Sequence, residues 1–206
     1  CLLSRGLGDV YKRQELCKLY SGVSWHHEII VIDNRFFSER VNQIRNWNMK
    51  FIQGDILDKN LIKKYCKDAN VVHHLAGITD VPRTKNESSL LQDEKIKEVG
   101  EKGTQNILDV ISNDCKIIFP STHVVYEGIN EVKINIKENE ATRPVLSYSQ
   151  SKSINENQLK KSGKNYVILR LGSVYGYSVD SMRIDIMPNL FSKIASQDGT
   201  LKLFAG

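Results

Sequence analysis

Five short apolar runs are spaced along the chain, and segments with a helical repeat separate them. The runs are rich in β-branched residues, which favours β-strands. They occupy residues 28–33, 49–55, 70–77, 116–122 and 166–173. Because most positions in these runs are apolar, we expect strands of a parallel sheet that is covered on both faces.

The intervening segments carry apolar residues three or four positions apart, which is the repeat of an amphipathic helix. Helices are predicted at residues 58–67, 90–112, 148–162 and 184–196, the last one starting near Pro188. Residues from Glu15 onward indicate the end of an earlier helix. Repeated strand–helix units imply an α/β fold, a doubly wound parallel sheet of the Rossmann-like type with right-handed crossovers.

Composition is that of a globular protein, since 40% of the residues are hydrophobic and 26% are charged. No apolar run approaches the roughly 20 residues that cross a bilayer, and no secretory signal is recognised, so we expect no membrane partner. The four cysteines show no metal-ligand spacing and suit reduced thiols, which favours a cytoplasmic location. They are Cys1, Cys17, Cys66 and Cys115.

The net charge of +5 raises the question of nucleic-acid binding. The lysines alternate with apolar residues at helical spacing, as in KNLIKKYCKD, which is typical of a solvated helix face. Basic residues are not interleaved with aromatic ones, as they are in single-strand binding surfaces. We therefore expect no nucleic-acid partner.

A dinucleotide-binding sheet opens with a strand and a glycine-rich turn, about 20 residues before an acid at the end of the second strand. Asp33 ends a predicted strand, which places that turn within residues 1–14. Gly6 and Gly8 lie there, but without a GxGxxG pattern and without a convincing strand before them. We expect the first strand, the glycine turn and a C-terminal substrate domain to be missing or incomplete, and residues 1–14 to be non-native. A divergent native N-terminus is the alternative.

The stretch SYSQSK places Tyr148 and Lys152 four residues apart, one above the other on one face of a helix. Tyrosine, with a pKa of about 10, is a poor base at neutral pH, but a nearby ammonium group lowers that pKa. The two residues are therefore a candidate acid/base pair. Two polar residues at an exposed helix start explain the spacing equally well in isolation.

Seven motifs follow one another in a fixed order. They are VIDN, GDILD, VVHHLAG, GTQNILD, FPSTHVVYEG, YSQSK and LRLGSVYG. In that order the chain resembles the NAD-dependent epimerase/dehydratase branch of the extended short-chain dehydrogenases/reductases, from about Glu15 to Gly206. The resemblance implies an NAD-dependent enzyme of the nucleotide-sugar epimerase type, which transfers a hydride at a sugar carbon.

The resemblance assigns the catalytic roles to three residues. Tyr148 is the base, Lys152 lowers its pKa and holds the nicotinamide ribose, and Thr122 bonds the reacting oxygen. Asp33 would accept hydrogen bonds from the adenosine ribose hydroxyls and favour NAD over NADP, although a turn role also suits an Asp-Asn pair.

The resemblance also implies further contacts. For the cofactor they are Asn34, Asp55, Ile56, Leu75, Ala76, Gly77, Gly172 and Val174; for the substrate they are Thr79, His123 and Ser173. Asp55 and Ile56 would flank the adenine, with a turn or cap role as the alternative for Asp55. Ala76 and Gly77 lack bulk, so the dinucleotide can pass close to the backbone.

Adjacent His73 and His74 look like a metal pair, but neighbouring residues of a strand point to opposite faces. Packing in the strand is the preferred interpretation, and no metal is expected.

Five positions depart from the family pattern. Ser173 replaces the usual asparagine of the last strand and can still donate and accept a hydrogen bond. His123 and Val124 replace the Asp-Glu pair of the dehydratases, and valine carries no proton, so dehydration of that kind is disfavoured. Gly100 replaces an asparagine, which we expect to loosen the packing near the site. Glu127 intrudes between the family's Val-Tyr and Gly.

Three segments are predicted: the non-native residues 1–14, an NAD-binding domain over 15–180, and the start of a small substrate-binding part over 181–206. A chain with these ends should bind NAD poorly and show little activity. The rivals are an NAD(P)H-dependent keto-sugar reductase or dehydratase of the same family, and a non-catalytic NAD-binding scaffold. The resemblance further implies a nucleotide-sugar substrate and a homodimer formed by helices 90–112 and 148–162.

Overall fold

The computed structural model describes the main chain of residues 2–5 and residues 15–78, 89–176, 184 and 186–202. Six parallel strands in these ranges form one sheet, in the order β3-β2-β1-β4-β5-β6. The strands are β1 (Leu2–Arg5), β2 (Ile30–Asp33), β3 (Lys50–Gln53), β4 (Val71–Ala76), β5 (Lys116–Thr122) and β6 (Asn165–Leu171). All five predicted strands are confirmed, as is the doubly wound α/β class.

Helices connect the strands. They are α1 (residues 15–21), α2 (Ser38–Asn46), α3 (Lys59–Cys66), α4 (Leu90–Lys97), α5 (Gly103–Val110), α6 (Ser147–Lys161) and α7 (Met187–Ser196). The predicted helix at 90–112 is divided, because a π-helical turn over Glu98–Lys102 joins α4 to α5. A 3-10 turn, His123–Tyr126, follows β5 directly. Helix α2 was not predicted.

A short first strand is present, although the sequence showed no convincing one. The main chain of residues 2–5 pairs in parallel with both β2 and β4, in the middle of the sheet. Four residues, Leu-Leu-Ser-Arg, are too short to carry a periodic signal, while the ladder of a strand uses main-chain groups only. Gly6 and Gly8 lie outside the described residues, and the identity of residues 1–14 stays a prediction.

The strand order reverses between β1 and β4, which creates the crevice where doubly wound sheets bind their ligands. Asp33 ends β2, Gly77 follows β4 and Thr122 ends β5. The carboxyl ends of parallel strands lie at one edge of the sheet. The fold therefore places these three residues on the same edge.

The core lies on both faces of the sheet. One cluster joins Ile32, Ile62, Ile107, Phe119 and Leu159, and the other joins Cys17, Val31, Ile44 and Met49. Burial on both faces holds for β2, β4 and β5, but it was wrongly predicted for β3, where Lys50 and Gln53 are exposed, and for β6. Three side chains of β6 are exposed to about the same extent: Tyr166 (38%), Val167 (39%) and Leu169 (41%).

The prediction that Gly100 loosens the packing is wrong. Gly100 is buried in the π-helical turn, and its carbonyl accepts a hydrogen bond of 3.0 Å from Asn155 Nδ2 of α6. A Cβ atom on Gly100 would lie 2.1 Å from the Ser151 Oγ atom. The missing side chain therefore lets α6 approach the turn closely.

Candidate active site

Lys152 lies buried between α6 and the end of β5. Helix α6 begins at Ser147, so Tyr148 falls in its first turn and Lys152 one turn later. The Lys152 side chain donates a 2.9 Å hydrogen bond from Nζ to the Pro120 carbonyl, and Nζ lies 4.5 Å from the centroid of the Phe119 ring. Nζ is also 5.9 Å from the ring centroid of Tyr148. The structure thus brings a buried ammonium group to the half-buried tyrosine.

Thr122 is the last residue of β5 and is 8% exposed. Its Oγ1 accepts the Val124 N–H at 3.3 Å, which caps the 3-10 turn and leaves the hydroxyl hydrogen for donation. His123 is exposed, and its Nδ1 lies 3.1 Å from the Leu171 carbonyl oxygen. The two residues after Thr122 therefore present one imidazole and no carboxylate.

Three polar residues meet at the carboxyl ends of β2 and β3. Asp33 is 2% exposed, and its Oδ1 accepts the Arg35 N–H at 2.9 Å. Asn34 Nδ2 lies 3.4 Å from Asp55 Oδ2, and Asp55 Oδ1 accepts the Leu57 N–H. The Oδ1 atom of Asn34 is buried and has no hydrogen-bond partner within the described part of the chain. A buried orphan acceptor beside two carboxylates fits a ligand that carries hydroxyl groups, such as a ribose.

Asn106 holds the turn after β3, a role that the sequence did not indicate. Its Nδ2 donates to the carbonyls of Ile56 at 3.0 Å and Leu57 at 3.2 Å. The Ile56 side chain is buried in the core, and a Cβ atom on Gly103 would come within 2.8 Å of it. The predicted adenine contact of Ile56 stays a prediction.

The end of β4 lies beside the ammonium group. Leu75, Ala76 and Gly77 are all buried, and a Cβ atom on Gly77 would lie 3.9 Å from Lys152 Nζ. The predicted cofactor residues of β4 and the predicted catalytic lysine are thus neighbours.

Of the remaining predicted site residues, three are exposed after β6 and one lies outside the described residues. Gly172, Ser173 and Val174 follow β6 and are exposed, and a Cβ atom on Gly172 would meet no described atom within 4 Å. Thr79 lies outside the described residues. The roles of these four residues stay predictions.

His73 and His74 point to opposite faces of β4, as predicted. His73 Nε2 lies 2.8 Å from the Tyr20 hydroxyl, and His74 Nε2 lies 2.8 Å from the Thr104 hydroxyl. Burial lowers the pKa of His73 to about 4. Burial, followed by the charge of Lys152, lowers the pKa of His74 to about 3. Within the described ranges, no three His, Cys, Asp or Glu side chains are grouped as metal ligands.

A buried ion pair behind the site was also not predicted. Glu156 of α6 accepts hydrogen bonds from Arg170 of β6, the shortest at 2.6 Å, and one of 2.6 Å from Ser121. Ser121 directly precedes Thr122. Arg170 belongs to the motif LRLGSVYG, but nothing in the sequence indicated that Glu156 is its partner.

The fold and this arrangement define a doubly wound α/β protein with polar residues along the carboxyl edge of its sheet, the edge where such sheets bind their ligands. The chain belongs to the NAD dependent epimerase/dehydratase family, whose model matches residues 15–205. The family consists of enzymes that use NAD, and the predicted family is confirmed.

Individual relatives agree with this assignment. The chain is 26% identical over 194 residues to a UDP-glucose 4-epimerase of Lactobacillus helveticus, covering 86% of the chain and 56% of the relative. It is 33% identical over 127 residues to a CDP-paratose 2-epimerase of Salmonella typhi, covering 56% and 35%. The chain thus spans about half or less of the length of these curated relatives.

The fold is also that of a UDP-glucuronic acid 4-epimerase from Bacillus cereus, solved in complex with NAD. The TM-score is 0.72 at 22% identity, covering 97% of this chain and 64% of that one. At this identity the likeness shows the fold. In the part of the chain that the structure describes, no helix is long and apolar enough to cross a membrane.

Proposed function

We propose that this protein is a nucleotide-sugar epimerase-type oxidoreductase that uses Tyr148 as its acid/base. The observation that carries the proposal is the position of the buried Lys152, whose Nζ lies 5.9 Å from the centroid of the Tyr148 ring and bonds the Pro120 carbonyl of β5. A buried ammonium there favours the phenolate form of the tyrosine. The substrate class is supported by the UDP-glucose and CDP-paratose epimerases among the relatives.

The residues of the site divide the work of oxidising a sugar hydroxyl. Bound NAD would supply the hydride acceptor for the sugar carbon and, once reduced, the hydride donor for the return step. Tyr148 takes the hydroxyl proton and gives it back after the keto sugar has rotated to present its other face. Thr122 donates its hydroxyl hydrogen to the reacting oxygen, and Lys152 stabilises the phenolate.

The cofactor is held by residues at the carboxyl edge. Asp33 and the orphan acceptor Asn34 Oδ1 would accept hydrogen bonds that the hydroxyl groups of the adenosine ribose donate. A carboxylate at Asp33 repels a 2′-phosphate, which favours NAD over NADP. Gly77 leaves room for the dinucleotide next to Lys152.

A direct assay tests this function in the protein that carries this chain. With NAD and UDP-glucose, or with UDP-glucuronate, proton NMR should show the C4 epimer forming without net NADH. Tyr148→Phe should lose at least about 100-fold in rate. Tyr166→Phe, which removes a hydroxyl from β6, should change nothing.

Other results would point to the rival functions. Net consumption of NADH or NADPH with a keto sugar would indicate a reductase. NAD binding without turnover of any nucleotide sugar, unchanged in Tyr148→Phe, would indicate a non-catalytic protein.

We also infer a homodimer formed through α4 and α6. Leu90 and Leu91 of α4 are 84% and 78% exposed, and Ile154 of α6 is 37% exposed. Large exposed side chains on two packed helices are typical of an interface. Sedimentation should give a dimer that Leu90→Ser/Leu91→Ser dissociates. A monomeric wild type would contradict the inference.

A reducing cytoplasm is the compartment that we propose. Burial raises the pKa of the Cys66 thiol to about 11, and it also raises that of Cys115. Both are thus held as protonated, unreactive thiols. Localisation of a tagged protein by cell fractionation tests this proposal.

A further inference from the structure

Glu127 lies against the start of α6. Its Oε1 accepts the Val145 N–H at 2.8 Å and the Leu146 N–H at 2.7 Å, and it also accepts the Ser149 hydroxyl. Helix α6 has Leu146 at its N-cap position, and no side chain of its own caps it there. A carboxylate from another segment therefore satisfies main-chain donors just ahead of the helix, at the end where negative charge is favoured.

The loop that carries Glu127 is fixed from both sides. Arg143 N donates to the Val125 carbonyl at 2.8 Å, and Gly128 N donates to the Arg143 carbonyl at 2.9 Å. A Cβ atom on Gly128 would lie 2.5 Å from that carbonyl oxygen, so glycine is needed for the close approach. The segment before α6 and the segment around Glu127 are thus held together by main-chain bonds that a mobile surface loop lacks.

The same loop begins at Thr122. The Thr122 hydroxyl caps the 3-10 turn His123–Tyr126, and Glu127 directly follows that turn. The Glu127 carboxylate also bonds residues on both sides of Tyr148. Leu146 precedes Tyr148 and Ser149 follows it, and both donate to Glu127. One rigid turn therefore connects the two groups that must meet at the sugar oxygen.

We propose that Glu127 is a positioning residue, which sets the place of Tyr148 relative to Thr122 by capping α6 from outside. This inference rests on the proposed function for its catalytic consequence, but the cap itself does not. Glu127 is exposed, so its effect is carried by hydrogen-bond geometry rather than by a charge in a low dielectric.

Three variants separate geometry from charge. Glu127→Gln keeps an acceptor oxygen at the same reach, Glu127→Asp keeps the charge but shortens the reach, and Glu127→Ala removes both. Glu131→Ala, an exposed acid in the same loop, is the matched control. We expect the Gln variant to behave like wild type and the Asp and Ala variants to share one defect.

The first readout needs no enzymatic activity. Amide hydrogen exchange of the chain should show about five- to ten-fold less protection for residues 145–150 in the Asp and Ala variants. Protection elsewhere, and in Glu127→Gln and Glu131→Ala, should stay at the wild-type level. Unchanged protection in Glu127→Ala would overturn the cap, whether or not the protein is an epimerase.

The second readout is the epimerisation of UDP-glucose. Displacement of Tyr148 should lower kcat of Glu127→Ala by about 10-fold to 100-fold and leave the KM nearly unchanged. The Gln variant should recover the wild-type kcat. Lost protection with an unchanged kcat would overturn the positioning role. If wild type turns over no nucleotide sugar, the proposed function fails and the exchange result alone decides the cap.

Discussion

The carboxylate of Glu156 and the guanidinium of Arg170 form a buried ion pair that joins α6 to β6. Their side chains are 2% and 14% exposed, and Arg170 Nη2 lies 2.6 Å from Glu156 Oε2. The Ser121 hydroxyl also donates to the Glu156 carboxylate, and Arg170 donates to the Tyr126 hydroxyl. This network joins α6 to both β5 and β6.

Breaking this pair from one side should destabilise the protein strongly. Glu156→Gln leaves the Arg170 charge buried without its counter-ion, and we expect a loss of about 3–5 kcal/mol in the free energy of unfolding. The matched control is Glu140→Gln, whose partner Lys133 is 41% exposed; there we expect less than about 1 kcal/mol. Urea unfolding measures both, and equal losses would contradict the prediction.

The same pair should make stability depend on acid pH. Burial alone would raise the pKa of Glu156, but the hydrogen bonds from Arg170 and then Ser121 outweigh it, so this pKa lies below its ordinary value of 4.5. Stability from a lowered carboxyl pKa is present above pH 4.5 and is lost as the pH falls through the folded-state pKa. Below pH 4.5, wild type should therefore lose more unfolding free energy than Glu156→Gln, as urea titrations at several pH values would reveal.

Lys152 should matter for activity and little for stability. Lys152→Met keeps the apolar stem beside Phe119 and removes a buried charge, so the free energy of unfolding should fall by no more than about 1 kcal/mol or should rise. Epimerisation should fall at least about 100-fold. Lys161→Met, an exposed position on the same helix, is the control. A large stability loss without a rate effect would make Lys152 a structural residue.

Gly100 should tolerate no side chain while Ser151 faces it. Gly100→Ala places a methyl group 2.1 Å from Ser151 Oγ, and we expect a loss of about 1–3 kcal/mol. Ser151→Ala removes that oxygen and leaves its Cβ 3.5 Å from the new methyl group. The double variant should therefore recover most of the loss in a double-mutant cycle. Additive losses would show that the contact is not the cause.

His74 should contribute to a loss of stability on mild acidification. Its pKa is lowered from 6.5 to about 3 in the fold, so the unfolded chain binds the proton first as the pH falls below 6.5. The contribution of the neutral His74 to stability is fully present above pH 6.5 and is lost progressively as the pH falls toward 3. At pH 5, His74→Gln should spare about 2 kcal/mol of the wild-type loss. Parallel pH profiles of the two proteins would refute this.

The linear pattern predicted the elements that carry a strong local signal. The runs ending at Asp33 and Thr122 are continuous apolar strands, and Tyr148 and Lys152 lie one helical turn apart. The order of these motifs was enough for the family. The four-residue β1 and the split of helix 90–112 carried no such signal, because a central strand and a π-helical turn depend on neighbours that are distant in sequence.

The sequence by itself therefore determined the α/β class, the family and the types of residue at the carboxyl edge, because period, composition and order are local properties of the chain. The tertiary structure decided which groups meet: Glu127 with the start of α6, Glu156 with Arg170, Asn106 with the turn after β3, and Gly100 with Ser151. Each contact joins residues at least 14 positions apart. Their meeting depends on the crossovers and on side-chain reach, and no local pattern encodes either.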